Sequence, residues 1–318
     1  MTFRALALSV PLSLTALACS SSDASTGAGN SPSISHNPNT TPEDTRPCGP
    51  STIQSGPFDF THAGVQYLGN IVHVPPSYDG TKRTPLVLDW HGLTSNAAQQ
   101  EFFSNMDPVS DSDGFILVYP NSPDNSWNAG TCCAFSATTR DDIGFARALV
   151  DEISSQACVD SKRIYTTGMS NGAFMSYRLA CEAADLFAAA APVAGKIGVP
   201  NCAPSRAIPL IAFHGTADTL VAYDTGALSA DNMSVPDTVS HFASLDGCKS
   251  GPQQTYQNGT VTCQGWSDCT GAVNVELCSA EGEGHCWPGQ SVCPFGTATT
   301  DVDASRRIAD FFEKFRLP

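Results

Sequence analysis

Ser170 has the residue type and the neighbours of a catalytic nucleophile. It is the centre of the sequence Gly168 to Gly172 (GMSNG), which lies where a strand-like run, Arg163 to Thr167, gives way to a helix-like run. In this context, called a nucleophile elbow, the first glycine tolerates a tight strand exit and the second lets the helix pack closely. The serine is left on a strained turn with its hydroxyl exposed. Because a serine hydroxyl is a poor nucleophile at neutral pH, it needs a base nearby.

An acid and then a histidine follow downstream, in the order that an α/β-hydrolase requires. The run from Ile208 to Phe213 predicts a buried strand, and Asp218 lies just beyond its end. The run from Val273 to Leu277 alternates as a strand does and leads into a glycine-bracketed loop that contains His285. We predict that His285 takes the proton of Ser170, while Asp218 fixes the imidazole tautomer and stabilises the imidazolium.

Stabilising the tetrahedral intermediate requires N–H donors directed at its oxyanion. In this arrangement one donor follows the nucleophile, which predicts the backbone N–H of Asn171. The second donor is expected in the loop after an early strand, Pro85 to Trp90. We assign it to the N–H of Leu93, with Thr94 as the alternative.

Other readings of the polar residues remain open at this point. Asp224 is an alternative acid, although it lies farther from the strand end than Asp218. His91 and His214 each stand at a strand end before a glycine, and we expect them to be structural, hydrogen-bonded histidines. The cysteines do not form a spaced C-x-x-C pair of the zinc type, so neither a metal nor any other cofactor is expected.

Further motifs are spread along the chain around these residues. They are His91-Gly92, Ser126 to Gly130 followed by Cys132-Cys133, Asp141 to Phe145, Gly168 to Glu182, His214 to Asp218, and Gly284 to Gly289. With this set the chain resembles, from about Tyr67 to Phe315, the secreted esterases of the α/β-hydrolase superfamily that include polyhydroxybutyrate depolymerases, feruloyl esterases and acetylxylan esterases. The resemblance implies an α/β-hydrolase fold, with a mostly parallel central sheet flanked by helices. It also implies a Ser170, Asp218, His285 triad that hydrolyses carboxylic esters through an acyl-enzyme.

The resemblance also bears on the substrate pocket. Trp287, which follows the proposed base, is expected either to form a wall of the acyl pocket or to pack in the core. Trp127 has the same two readings. Cys286 is expected to pair with Cys293 and so to hold the base in place. We expect no appended substrate-binding domain after Pro318, which favours soluble or oligomeric esters over a crystalline polyester.

Composition predicts a single large α/β domain. The chain has 318 residues, of which 41% are hydrophobic, and we assign residues 48–318 to one catalytic domain. Its formal net charge of −15 argues against a nucleic-acid partner, because binding to phosphates needs a basic face. The expected partner is therefore an ester substrate.

The N-terminus predicts export. Residues 1–18 resemble a signal peptide, with Arg4 in the charged region before an apolar stretch too short for a comfortable membrane span. Cys19 is a candidate for lipidation, and setting it aside leaves twelve of the 13 cysteines, enough for six disulfides in an oxidising compartment. Residues 19–47 are Ser, Thr and Pro-rich and are predicted to form a disordered tether. The protein is thus expected to be extracellular, or anchored at the cell envelope only through a lipid at Cys19.

Strand-like and helix-like segments alternate, as a parallel sheet requires. Besides the strands named above, we predict strands over 65–74, 115–119 and 188–194, and helices over 142–153 and 304–315. Asp141 or Asp142 is the expected N-cap of the first helix, and Asp303 or Asp301 lies near the start of the second.

These observations predict a secreted serine esterase. Its substrates are expected to be polyhydroxybutyrate-type oligoesters or feruloyl or acetyl esters of plant polysaccharide. The alternative from another class is a catalytically silent lipoprotein that binds a carbohydrate or lipid on a hydrolase shell. A peptidase of the same fold would need a proline-directed or amine-binding pocket, and no sequence feature indicates one.

Overall fold

Six neighbouring parallel strands form the centre of a ten-stranded sheet, in the order β1-β2-β4-β3-β5-β6-β7-β10-β9-β8. The computed structural model describes residues 48–49, 51–133 and 139–318. The strands are β1 (Gly56–His62), β2 (Val65–His73), β3 (Thr84–Trp90), β4 (Ile116–Tyr119), β5 (Val159–Met169), β6 (Ala189–Val193), β7 (Leu210–Gly215), β8 (Ser250–Asn258), β9 (Val261–Ser267) and β10 (Val275–Ala280). The strands from β4 to β10 in this order are parallel, and antiparallel pairs complete both sides.

Helices cover both faces of this sheet. They are α1 (Ala97–Ser104), α2 (Asp107–Asp113), α3 (Asp142–Gln156), α4 (Asn171–Glu182), α5 (Val235–Leu245) and α6 (Ala304–Phe312). Alternate strand residues point to opposite faces, so Val87 packs in one cluster with α6 and Leu88 in another with α3 and α4. Because both faces are covered, central strands such as β6 and β7 are buried along their whole length. The predicted α/β-hydrolase fold is confirmed.

The predicted elements agree with the observed ones where apolar runs are long. The helix that we predicted over 142–153 begins after an N-cap at Asp141, whose side chain accepts from the N–H of Gly144 (2.8 Å). The closing helix has Asp303 as its N-cap, as predicted, and ends at Phe312 rather than Phe315. Strand β8 was not predicted, because its sequence, SGPQQTYQN, has almost no apolar residue and lies exposed at the sheet edge.

In the part of the chain that the structure describes, twelve cysteines form six disulfides, the number that the cysteine count predicted. The pairs are Cys48–Cys158, Cys132–Cys133, Cys181–Cys202, Cys248–Cys269, Cys263–Cys278 and Cys286–Cys293. The expected pairing of Cys286 with Cys293 is present. The bridge between the adjacent residues Cys132 and Cys133 was not predicted. Cross-links of this kind restrict the unfolded chain and each typically adds about 2–4 kcal/mol to the free energy of unfolding.

The predicted signal peptide, tether and lipidation site lie outside the described residues. Within residues 48–49, 51–133 and 139–318, no helix is both long enough and apolar enough to cross a membrane. The division of the chain into leader, tether and a catalytic domain over 48–318 therefore stays a prediction.

Three buried carboxyl groups have pKa values raised by their burial. The pKa of Asp89, at the end of β3, is raised to about 8, and those of Asp246 and Glu283 to about 7. In the unfolded chain such groups ionise near pH 4. Between about pH 4 and 8 the folded protein therefore holds protons that the unfolded chain has released, so these groups lower the free energy of unfolding as pH rises.

We expect Asp89→Asn to reduce the fall in the free energy of unfolding that the wild type shows as pH rises. The wild-type free energy of unfolding should fall, through this proton, by up to about 1.4 kcal/mol per pH unit between pH 5 and 7, and the variant should lack that component. Denaturant unfolding at several pH values measures this, with Asp151→Asn, at an exposed position on α3, as the control. Parallel pH curves for wild type and Asp89→Asn would show that Asp89 ionises normally in the folded state.

Candidate active site

The predicted catalytic residues all follow strands whose carboxyl ends share one edge of the sheet. Ser170 follows β5, Asp218 follows β7 and His285 follows β10. The loop with Leu93 follows β3, which is the direct neighbour of β5. In open parallel sheets, clefts at the carboxyl ends of the strands are the usual place for ligands.

Ser170 lies on a strained turn between β5 and α4. Its φ is 57° and its ψ is −122°, a conformation that residues with a side chain rarely adopt and that costs on the order of 1–3 kcal/mol. The surrounding hydrogen bonds hold it there: its N–H donates to the carbonyl of Val193 (2.9 Å), and its carbonyl accepts from the N–H groups of Ala173 and Phe174. This is the geometry expected of a nucleophile elbow.

Glycine is required at position 172 by a close approach between α4 and β3. A Cβ atom there would lie 1.9 Å from the carbonyl oxygen of Trp90, so no side chain fits without moving the helix. The absence of a side chain at Gly172 thus allows the start of α4 to lie directly against the end of β3. The loop after β3 then passes directly beside the nucleophile, since a Cβ on Gly92 would lie 3.3 Å from the Cβ of Ser170.

His285 and Asp218 form a buried hydrogen bond. The Nδ1 atom of the histidine lies 2.7 Å from Oδ2 of the aspartate. The other carboxylate oxygen, Oδ1, accepts from the N–H groups of Leu220 and Val221, both at 2.8 Å. With Nδ1 bonded to the carboxylate, Nε2 of His285 is the atom left to act on a hydroxyl.

The pKa of Asp218 lies well below its ordinary range. Burial by itself would raise it, but hydrogen bonds and charge from His214 and His285 outweigh that effect. Nε2 of His214 lies 3.2 Å from Oδ2 of Asp218 and 2.8 Å from the carbonyl of Val221. Asp218 is therefore ionised at neutral pH, and it is this residue, not the alternative Asp224, that contacts His285.

The base is fixed by its own loop. The N–H of His285 donates to the carbonyl of Phe295 (2.9 Å), and the Cys286–Cys293 disulfide closes the chain between them.

Lys196, which the sequence did not single out, holds the loop that follows the acid Asp218. It is fully buried, and its ammonium group donates to the carbonyls of Ala222 (3.1 Å) and Thr225 (2.6 Å), just beyond Asp218.

The two proposed oxyanion donors, the N–H groups of Leu93 and Asn171, have no acceptor among the described residues. Thr94, the alternative to Leu93, is unsuitable because its N–H already donates to the carbonyl of Asn125 (2.8 Å). Its backbone is also constrained, with a φ of 61°. Leu93 therefore remains the better assignment for the second donor.

The side chain of Asn171 has a second role that the sequence did not indicate. It is fully buried, and its Oδ1 accepts from the N–H of Trp127 (2.7 Å) while its Nδ2 donates to the carbonyls of Trp127 (3.3 Å) and Cys132 (3.2 Å). The side chain of Asn171 thus holds the loop that contains the disulfide between the neighbouring residues Cys132 and Cys133. Any shift of this loop would move the backbone of the proposed oxyanion donor.

A buried ion pair holds the same loop from the other side. Asp142 is fully buried; its Oδ1 accepts from Arg140 Nε (2.6 Å) and Tyr67 (3.1 Å), and its Oδ2 accepts from the N–H of Asn128 (2.6 Å). Arg140 also donates to Asp124. Asp142 belongs to one of the motifs that carried the family resemblance, but its sequence alone did not reveal this role.

We expect Asp142→Asn to lower the free energy of unfolding by about 3 kcal/mol, because it removes the charge that compensates a nearly buried guanidinium. Chemical denaturation measures the loss. Asp185→Asn, which breaks the exposed pair with Arg147, is the matched control and should cost less than about 0.5 kcal/mol. Equal losses in the two variants would mean that the buried pair has no special stabilising role.

Trp127 and Trp287 are both buried, at 0% and 1% exposure. Trp127 packs edge-on against Trp90 and its ring N–H donates to the carbonyl of His91 (3.0 Å). The ring N–H of Trp287 donates to Ser305 (2.9 Å). These contacts are those of packed residues, in line with the packing alternative, and direct contact of either ring with a substrate stays a prediction.

His91 is a structural histidine, as we expected. Its Nε2 accepts from the N–H of Ser122 (3.1 Å), so Nδ1 carries the proton and donates to the carbonyl of Gly92 (2.7 Å). Burial lowers its pKa to about 4, which keeps the ring neutral. It thus shapes the loop beside Ser170 without exchanging protons.

Comparison with known proteins agrees with this geometry. The family model described as esterase PHB depolymerase matches residues 68–276. The chain belongs to this family. It is 34% identical to feruloyl esterase B of Piromyces equi over 68% of its own length and 42% of that protein's. To poly(3-hydroxyalkanoate) depolymerase C of Paucimonas lemoignei it is 28% identical, over 76% of the chain and 65% of that protein.

Solved structures carry the same fold. The acetyl xylan esterase from Aspergillus awamori superposes with a TM-score of 0.52 at 21% identity, covering 69% of this chain and 89% of that one. The chain spans less than two thirds of the length of either of these two relatives, feruloyl esterase B and the depolymerase. The family resemblance that the motifs predicted is confirmed.

Proposed function

We propose that this protein is a serine esterase that hydrolyses carboxylic esters through an acyl-enzyme. The observation that carries the proposal is the buried hydrogen bond between His285 and Asp218, on the sheet edge where Ser170 occupies its strained turn. A buried, ionised acid bonded to Nδ1 leaves Nε2 as the base for a serine hydroxyl. Membership of the esterase PHB depolymerase family supports the same chemistry.

In the proposed mechanism Ser170 attacks the ester carbonyl as His285 accepts its proton. The N–H groups of Leu93 and Asn171 stabilise the negative charge that develops on the carbonyl oxygen. The imidazolium then gives its proton to the departing alcohol, and the acyl group remains on the serine. Water, activated by the same histidine, releases the acid and restores Ser170.

We propose two classes of substrate, polyhydroxybutyrate-type oligoesters and feruloyl or acetyl esters of plant polysaccharide. The relatives support both classes, because they include a feruloyl esterase and a poly(3-hydroxyalkanoate) depolymerase. We also propose that the protein is exported, either free or with a lipid on Cys19. Mass spectrometry of the mature N-terminus tests the proposed export, since an intact Met1 would exclude export with removal of a signal peptide.

The function is tested with purified, oxidised protein. Hydrolysis of p-nitrophenyl acetate and butyrate measures esterase activity, and an active-site phosphonate should label one serine. Hydroxybutyrate oligomers, methyl ferulate and acetylated xylan then separate the substrate classes. Correctly folded protein that neither turns over an ester nor reacts with the phosphonate would exclude the esterase, and the binding lipoprotein would replace it.

A further inference from the structure

Val221 links the acid of the candidate triad to a second buried histidine. The N–H of Val221 donates to Oδ1 of Asp218 (2.8 Å), and its carbonyl oxygen lies 2.8 Å from Nε2 of His214. Nε2 of His214 also lies 3.2 Å from Oδ2 of Asp218, the oxygen that contacts His285. His214 therefore contacts both the carboxylate and the peptide group that holds the carboxylate.

The surroundings of the His214 ring fix its tautomer. Both neighbours of Nε2 are acceptors at neutral pH, since one is a carbonyl and the other an ionised carboxylate, so Nε2 carries the proton. Nδ1 is buried and has no hydrogen-bond partner among the described residues. A proton on Nδ1 would be left unpaired in the interior, which is costly. His214 thus acts as a donor through Nε2.

Packing holds this donor in place. His214 belongs to β7 and is paired in register with Ser279 of β10, and its ring contacts Tyr223 edge-on, with centroids 5.8 Å apart. The hydroxyl oxygen of Tyr223 in turn lies 2.6 Å from Oγ of Ser279. Only 1% of His214 is exposed. The donor is therefore supported by the two strands that precede the acid and the base.

The turn that carries the acid, residues 216–221, is tied at its start to the loop of the base. The N–H of Ala217 donates to the carbonyl of Glu283 (2.9 Å), two residues before His285. Gly215 allows this close approach, because a Cβ atom there would lie 2.3 Å from the same carbonyl oxygen. The turn is thus held at both ends, by the base loop at its start and by His214 at its end.

We propose that His214 is a positioning residue of the esterase reaction, which holds Asp218 in the orientation that binds Nδ1 of His285. The proposal rests on the esterase function proposed above and adds a fourth side chain to its triad. The acid is effective only while it fixes the tautomer of the base and stabilises the imidazolium. Because a misplacement of about 1 Å can cost on the order of 100-fold in rate, loss of the contact at Val221 should reach the reaction through the acid.

Substitutions of His214 test whether its donor is required. His214→Leu removes the donor and should lower kcat for p-nitrophenyl butyrate on the order of 10-fold to 100-fold, while KM stays nearly constant. His214→Gln should keep kcat within about three-fold of the wild type, because its amide nitrogen reaches the position of Nε2. His214→Asn, whose shorter amide reaches only the position of Nδ1, should behave like His214→Leu. His241→Leu, at a partly buried position on α5, is the matched control and should keep wild-type kinetics.

Nitrogen NMR of histidine-labelled full-length protein gives a readout that a merely structural residue would not change. In the wild type the signals of His214, identified by their absence from His214→Gln, should show the proton on Nε2. The proton on Nδ1 of His285 should resonate far downfield, as a proton in a short hydrogen bond to a carboxylate does. This resonance should persist in His214→Gln and should be lost or shifted upfield in His214→Leu.

Equal kcat in the wild type and His214→Leu, or a proton on Nδ1 of His214, would overturn the proposal. A loss in His214→Gln as large as in His214→Leu would also overturn it, because the donor would then not be the property that matters. If His214→Leu and His214→Asn do not fold, the tautomer and the kinetics of His214→Gln decide. Absence of p-nitrophenyl butyrate turnover in folded wild type is the separate failure of the esterase proposal, and the NMR measurements, which need no turnover, distinguish the two failures.

Discussion

Ser170→Ala should lower kcat for p-nitrophenyl butyrate by a factor on the order of 10⁴–10⁶, the largest effect that we expect from any single change in this chain. The reason is that Ser170 supplies the hydroxyl at the strained turn after β5, beside Gly92. Without it the proposed acyl-enzyme cannot form, and only the proposed oxyanion donors and substrate binding remain. Steady-state kinetics and loss of phosphonate labelling measure the effect.

The matched control is Ser155→Ala, at an exposed serine on α3, which should keep wild-type kinetics. Ser170→Gly adds a test of the strained turn. It should be as inactive as Ser170→Ala but more stable by about 1 kcal/mol, because glycine adopts a positive φ without the steric penalty. Activity of Ser170→Ala within ten-fold of wild type would rule out Ser170 as the nucleophile.

Asp218→Asn should lower kcat on the order of 10⁴-fold while leaving KM for small esters nearly constant. The amide that replaces the carboxylate can donate to Nδ1 of His285, which favours the tautomer with its proton on Nε2 and removes the base. It also removes the negative charge that stabilises the imidazolium. The geometry that supports this is the 2.7 Å contact between the two residues.

Asp224→Asn is the control that separates the two candidate acids, and it should retain wild-type kcat. The pH dependence of stability gives an independent readout for Asp218. Because its folded-state pKa is depressed, the group stabilises the protein above the unfolded-state value of about 4, and this contribution is lost as pH falls further. The asparagine variant should lack that acid-side loss. A large loss of kcat in Asp224→Asn and none in Asp218→Asn would show that Asp224, and not Asp218, is the catalytic acid.

The long apolar runs, together with the motifs at their ends, were sufficient to predict the main features of the fold. Long apolar runs such as 208–213 and 188–194 overlap with β7 (Leu210–Gly215) and β6 (Ala189–Val193), since strands covered on both faces must be largely apolar. The polar edge strands lacked such a signal, because an exposed strand has no buried face to select its residues. Helix α1 is short and buries only Ala97, Gln100 and Ser104, so the sequence did not predict it.

The supporting residues of the site were the least predictable. The hydrogen bonds of Asn171 to Trp127 and Cys132 join positions about 40 residues apart, and no local pattern encodes such a contact. The choice of Leu93 over Thr94 likewise depends on one backbone hydrogen bond, to Asn125. Backbone donors carry no residue signature, so their assignment needs the folded chain.

The sequence by itself predicted the family, the fold class and the candidate residues Ser170, Asp218 and His285, with Asp224 still open as the acid, because each of these predictions depends on residue types next to strand ends. Only the tertiary structure decided that Asp218 rather than Asp224 meets His285, and how the loop after β3 approaches Ser170. The physical reason is that parallel strands bring distant loops to one edge. Which atoms then meet is set by the packing of helices on the sheet, at distances that local sequence does not specify.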